Sequence, residues 1–210
     1  MVVMNLHRAD KRPEWESISS DQWNYWQKVA ASTHSIVTPA NIISVIGLAL
    51  VLYGLGLLFV QAYIPALILL VVGRLLDLVD GIVAHATGTK SPLGEIMDAS
   101  IDKIGTLLTI LCLAVLQIAP WWVLLALFLP HLIISAIVFA GRSRNVKLHP
   151  SRIGKLSMAV AWVVLTALLL IKAVGLEWPA LLVVATYTLA ISSSLMGLIS
   201  ASQYLRQIVK

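Results

Sequence analysis

Charge is what this chain has least of. Asp, Glu, Lys and Arg make up 12% of its 210 residues against 59% hydrophobic, and the mean hydropathy is +0.91. That balance excludes an ordinary soluble globular domain and makes the bilayer the expected solvent. Cysteine is nearly missing too. The single copy, Cys112, excludes an intramolecular disulfide and says nothing of redox compartment; inside an apolar run it is read as a helix-packing residue. The first 38 residues are polar and hold no short apolar segment followed by a cleavage site, so no secretory signal peptide is expected there. Internal repeats and low-complexity tracts are also absent. Residues 39–210 are therefore taken as one bundle, preceded by a juxtamembrane segment over 1–38.

A hydrocarbon core of about 30 Å takes roughly 20 apolar helical residues to cross. Six such stretches follow residue 39, near 40–60, 62–85, 94–117, 120–141, 153–173 and 178–203. The expected fold is an all-α integral membrane protein with six transmembrane helices and an N-terminal interfacial amphipathic helix. Trp15, Trp23, Tyr25 and Trp26 among charged residues suit such a helix on the cytoplasmic leaflet, the bland alternative being a loose tail. Thr38 and Pro39 form a start signal for the first span. Pro130 falls inside the fourth and is expected to kink it, and the neighbouring His131 is read as a packing residue with a hydrogen-bond partner. Ser192, Ser193, Ser194 and Gly197 let helices approach closely in the sixth.

A net charge of +5 invites a nucleic-acid reading, but the cations sort by membrane side instead. Arg8, Lys11, Arg12 and Lys28 precede the first span, Lys90 follows the second, Arg142, Arg144, Lys147, Arg152 and Lys155 surround the loop after the fourth, and Arg206 and Lys210 end the chain. The opposite loops carry only Lys172, and Trp121, Trp122 and Trp178 mark the far interface. The positive-inside rule then predicts both termini and the basic loops in the cytoplasm.

Ionisable groups inside a span are costly, and here they cluster. The second span carries Arg74, Asp77 and Asp80; the third carries Glu95, Asp98, Asp102 and Lys103. At about 100° per residue, Asp77 and Asp80 share one helix face, as do Asp98 and Asp102. The loop between His85 and Leu93 is short, with Gly88, Ser91 and Pro92 as breakers, so the two spans are antiparallel neighbours and the four carboxylates can converge. Unpaired, they would repel and bind protons or cations. Oxygen-only ligands suit hard cations such as Mg²⁺ or Mn²⁺, and two divalent ions would balance four negative charges. A carboxylate-bridged metal pair is a device for phosphoryl displacement. Gly81, Ala84 and Gly94, beside the carboxylates, leave a trough in which a diphosphate could approach the backbone.

From Asp77 the chain reads D-x-x-D-G-x-x-A, then His85, eight residues, and G-x-x-x-D-x-x-x-D ending at Asp102. This resembles the signature of the CDP-alcohol phosphotransferase family, in which the position of His85 is normally Arg. The resemblance implies that residues 39–210 are a six-helix domain of that family, usually homodimeric. It implies a transfer of a phosphatidyl group from CDP-diacylglycerol or a similar CDP-lipid to an alcohol, with CMP leaving. By it, Asp77, Asp80 and Asp98 are metal ligands, and Asp102 is ligand and general base. Ala40, Asn41, Gly81, Ala84, His85, Ser91 and Gly94 would contact the CDP-lipid. Histidine offers one directed donor where arginine forks two, so compensation from Lys90 or Arg74 is expected, or else weaker or altered donor binding.

Arg142, Arg144, Arg152 and Lys155 carry two readings. One is positive-inside anchoring; the other is a grip on the phosphate of an acceptor. Gly154-Lys155-Leu156-Ser157 looks like glycerophosphate-using members, whereas Thr38-Pro39-Ala40-Asn41 and Asp98-Ala99-Ser100 look like inositol-phosphate-using ones. A rival class, a cation or proton-coupled transporter, fits intramembrane aspartates. Against it stand four aspartates near one membrane side and no inverted repeat. An inactive membrane scaffold is the third reading, and it rests on His85 alone.

Overall fold

The computed structural model describes residues 13–143, 151–175 and 180–209. Those residues are helical with no strand among them. Two 3₁₀ turns at Glu14–Ser17 and Ser20–Gln22 precede α1 (Tyr25–Ser32), α2 (Pro39–Phe59), α3 (Tyr63–Ala86), α4 (Pro92–Val115), α5 (Trp121–Ser143), α6 (Arg152–Val174) and α7 (Ala180–Val209). The six long helices coincide with the six expected stretches, except that α7 runs on to Val209 and takes in Arg206. Arg8, Lys11, Arg12, Arg144, Lys147, Trp178 and Lys210 lie outside the described residues.

Among the described residues, four helices are long and apolar enough to cross a membrane: α2, α5 over 121–138, α6, and α7 over 182–208. At 24 residues each, α3 and α4 have the length, about 36 Å at 1.5 Å per residue, but carry the ionisable cluster. α1, eight residues long, stands in the segment where a short amphipathic helix was expected; Trp15 is buried edge-on against Trp23 ahead of it, and Tyr25 and Trp26 ride on α1, both exposed.

Local chemistry sets the helix ends. Thr38 Oγ1 accepts from Asn41 N (3.1 Å), so Thr38 caps α2 with Pro39 in the first turn, where a missing N–H costs nothing. Ser91 does the same for α4, accepting from Gly94 N (3.0 Å) ahead of Pro92. Ser151 caps α6, which closes on Gly175 at φ +63°, a left-handed position suited to glycine. α5 continues unbroken through Pro130.

The chain divides into two compact units. The second, residues 55–67 and 106–210, is built on α7 packing against α5 and α6. Its core includes Leu113, Val123, Leu127, Val164, Leu165 and Ala190. Small residues bring the helices together: Ser157 Oγ donates to the Ser193 carbonyl and Ser193 Oγ to the Ser157 carbonyl, both at 2.8 Å. A Cβ on Gly197 would come within 2.6 Å of Pro130 Cβ. The packing reading thus holds for Ser193 and Gly197, while Ser192 is half-buried with its hydroxyl bonded to the Thr188 and Leu189 carbonyls of its own helix. Cys112 is buried with its thiol 3.9 Å from the Leu55 carbonyl, as a packing cysteine should be.

The first unit, residues 1–54 and 68–105, carries the acidic cluster. Its α2 and α3 cross at glycines. A Cβ on Gly73 would lie 2.7 Å from Gly47 O and 2.8 Å from Val51 Cγ2. That contact places Asp77, one turn further on, against the neighbouring helices. Gly73→Ala forces the helices apart and is expected to cost about 1–3 kcal/mol, the range for overpacking. Thermal unfolding in detergent checks this against Gly56→Ala, whose added methyl meets open space and leaves the midpoint unchanged or raised.

Candidate functional site

α3 and α4 are joined by a turn over residues 87–91. Thr87 N, Gly88 N and Thr89 N bond back to Val83 O, His85 O and Ala84 O, so α3 ends in a tight wrap around Gly88 at φ +62°. The antiparallel return brings the helix faces bearing the aspartates together. Asp77, Asp80 and Asp98 each present a carboxylate oxygen, and these atoms lie within 4.8 Å of one another. Asp80 is buried at 3% exposure, Asp77 is half-buried and Asp98 is exposed. The cluster thus reaches from the protein interior to its surface.

The fourth aspartate enters through a cation. The Arg74 guanidinium donates to Asp77 and to Asp102, bridging α3 and α4. Asp80 has a different partner, Ser44 of α2, whose hydroxyl donates to its Oδ2. One guanidinium against four carboxylates leaves an acidic surplus. All-oxygen donors at this spacing fit a hard divalent cation, so the residues present match the expected Mg²⁺ or Mn²⁺.

The residues expected around the donor differ in their setting. Gly81 is open: a Cβ there would meet nothing within 4 Å, so its side of α3 leaves room for a ligand. Gly94 is crowded, with an added Cβ 3.2 Å from Ser91 Oγ and 3.3 Å from Asn41 Oδ1. Asn41 is buried and its amide donates to the carbonyls of Ser35 (3.0 Å) and Ile36 (2.9 Å). It thereby holds a link in which His34 and Ser35 both have positive φ. Ala40 and Ser91 are buried, Ala84 is half-buried and His85 is exposed in the last turn of α3. Of the two cations expected to compensate for His85, Arg74 is engaged with carboxylates, and Lys90 is exposed beside the turn.

The basic group belongs to the second unit. Arg152 and Lys155 are exposed in the first turn of α6, Arg142 falls in the last turn of α5, and Arg144 lies outside the described residues. The partners Ser44 and Arg74, and the Gly47–Gly73 crossing, are what sequence reasoning missed. The signal for Ser44 and Gly47 was present as polar and small positions on one face of the first span. Arg74 was visible as a charge, but its partners depend on the packing of two helices.

A family model described as CDP-alcohol phosphatidyltransferase matches residues 37–195. The chain belongs to this family. The match takes in both aspartate-bearing helices. Among curated relatives, an archaetidylinositol phosphate synthase from Pyrococcus horikoshii is 32% identical over 78 residues, 37% of this chain and 42% of that one. Another, from Aeropyrum pernix, is 49% identical over 41 residues, 20% and 21% of the two chains. An uncharacterized Aquifex aeolicus protein is 29% identical over 112 residues, 53% and 54%. The chain thus spans about half or less of the length of these relatives. Among solved structures, Mycobacterium tuberculosis phosphatidylinositol phosphate synthase (PgsA1), with CDP-DAG bound, superposes with a TM-score of 0.55 at 18% identity. It covers 88% of this chain and 93% of that one, a likeness of fold.

Proposed function

We propose that this protein transfers a phosphatidyl-type group from a CDP-lipid to the hydroxyl of a phosphorylated polyol, inositol phosphate before glycerol 3-phosphate, releasing CMP. The observation that carries this reading is the convergence of Asp77, Asp80 and Asp98 on helices that the family match covers. The names of the two archaeal relatives and of the mycobacterial structure favour inositol phosphate as acceptor. Six spans with the site on the cytoplasmic side fit the expected distribution of cations.

Asp77, Asp80 and Asp98 would hold the divalent ions, with Asp102 beside them. Such ions neutralise charge on a diphosphate and on the leaving CMP. An alcohol is a poor nucleophile at neutral pH, and a carboxylate within reach of its proton removes that barrier. Asp102 is the group proposed for this step. Its contact with Arg74 keeps it oriented between the helices. Open space at Gly81 gives the diphosphate a route to the α3 backbone. Arg152 and Lys155, together with Arg142 and Arg144, are proposed to grip the acceptor phosphate.

The deciding experiment follows CMP release by purified protein in detergent with CDP-diacylglycerol, Mg²⁺ or Mn²⁺, and a panel of acceptors. Metal-dependent release with inositol phosphate well above glycerol 3-phosphate is expected; no release with any acceptor overturns the enzyme reading. In the same assay His85→Arg is expected to leave the KM for CDP-lipid unchanged or lower it severalfold, because an arginine adds a charge-assisted contact to the diphosphate. A clear loss of activity would assign His85 a role of its own.

A further inference from the structure

The turn between the two aspartate-bearing helices is held from outside by a helix that carries none of the aspartates. Asn24, the N-cap of α1, donates from its side-chain amide to the Thr87 carbonyl (2.9 Å). Gln27, one turn on, donates from Nε2 to the Gly88 carbonyl (3.2 Å). The same two side chains form a capping box, with Asn24 Oδ1 accepting from Gln27 N and Gln27 Oε1 accepting from Asn24 N, both at 2.9 Å. Each amide therefore uses its oxygen to start α1 and its nitrogen to seize the turn. Gln27 is buried, and a Cβ on Gly88 would lie 2.9 Å from its Nε2, so the turn is glycine both for its φ of +62° and for this approach.

The held turn is otherwise small. Thr87 and Thr89 pair through their hydroxyls (2.8 Å), Thr89 is buried, and Ser91 caps α4. His85 precedes it and Lys90 lies within it, both exposed. α1 is fixed at its other end, since the link from it to α2 is bonded to the Asn41 amide. The first unit thus closes a loop of contacts from α2 through the link and α1 to the turn.

We propose that Asn24 and Gln27 are positioning residues that hold the α3–α4 turn, and with it His85, Lys90 and Ser91, in place for the diphosphate of the CDP-lipid donor. The donor role of those three residues rests on the functional reading above; the hold itself does not. A carboxamide can cap the helix through its oxygen while its nitrogen donates outward, so the two roles sit on different atoms. The proposal therefore separates cap from hold by substitution. Asn24→Asp and Gln27→Glu keep the capping oxygens, suit a helix N-terminus electrostatically, and place a carboxylate where each turn carbonyl had a donor.

The test uses the full chain in detergent, carrying either acid substitution or both. Hydrogen exchange is expected to quicken over residues 86–91 while α1 stays protected. The KM for CDP-diacylglycerol is expected to rise about five- to tenfold per lost hydrogen bond, with kcat and the acceptor KM within about twofold. Asn24→Ala, which removes the N-cap and its hold together, should show the same turn exchange with α1 exposed in addition. Unchanged exchange over 86–91 in both acid variants overturns the hold. Faster exchange with an unchanged donor KM, or with both KM values and kcat shifted alike, overturns the positioning role. If the wild-type chain releases no CMP, the exchange result still decides the hold, and only the functional reading falls.

Discussion

Asp102→Asn is expected to lower kcat for CMP release by about 10²- to 10⁴-fold, the contribution of a positioned general base. Asparagine matches aspartate in size and can still accept a hydrogen bond from Arg74 through its amide oxygen, so the bridge between α3 and α4 has a neutral replacement. What it cannot do is take the proton of an acceptor hydroxyl. Asp77, Asp80 and Asp98 keep their mutual approach within 4.8 Å, so Mn²⁺ binding, followed by calorimetry or electron paramagnetic resonance, should persist within about tenfold. Activity close to wild type in this variant would remove Asp102 as base. Loss of metal binding together with activity would make it chiefly a ligand.

Asp77→Asn is expected to behave differently because Asp77 serves two partners. It is one of the three carboxylates that converge, and it also takes a hydrogen bond from Arg74. Removing its charge weakens a metal site directly, an effect expected to exceed the roughly 10- to 100-fold cost of altering a group that merely supports a ligand. CMP release should fall to background, and raising the Mn²⁺ concentration should restore part of it, which it should not do for Asp102→Asn. Wild-type Mn²⁺ affinity in Asp77→Asn would exclude it from the ligand set. The pair of variants thus tells proton transfer from metal binding at one site.

Much of this was legible without coordinates. Six apolar stretches gave six long helices because helix length and polarity are local properties, and Thr38, Pro39, Ser91 and Pro92 act within one turn of where they stand. Of the N-terminal aromatics, Tyr25 and Trp26 lie on the short helix α1, while Trp15 and Trp23 pack on each other ahead of it. The two glycines read as part of a trough differ in setting: a Cβ on Gly94 would press on Ser91 and Asn41, and one on Gly81 would meet nothing within 4 Å.

By itself the sequence determined the helices and the faces that carry Asp77, Asp80, Asp98 and Asp102, since a period of 3.6 residues and a short turn leave few alternatives. Only the tertiary structure decided what those aspartates meet. Arg74 reaches Asp102 from 28 residues away, Ser44 reaches Asp80 from 36, and Gln27 and Asn24 reach the turn from 61 and 63. No periodicity encodes such partners. They follow from how closely helices approach, and in this unit that distance is set where Gly47 faces Gly73.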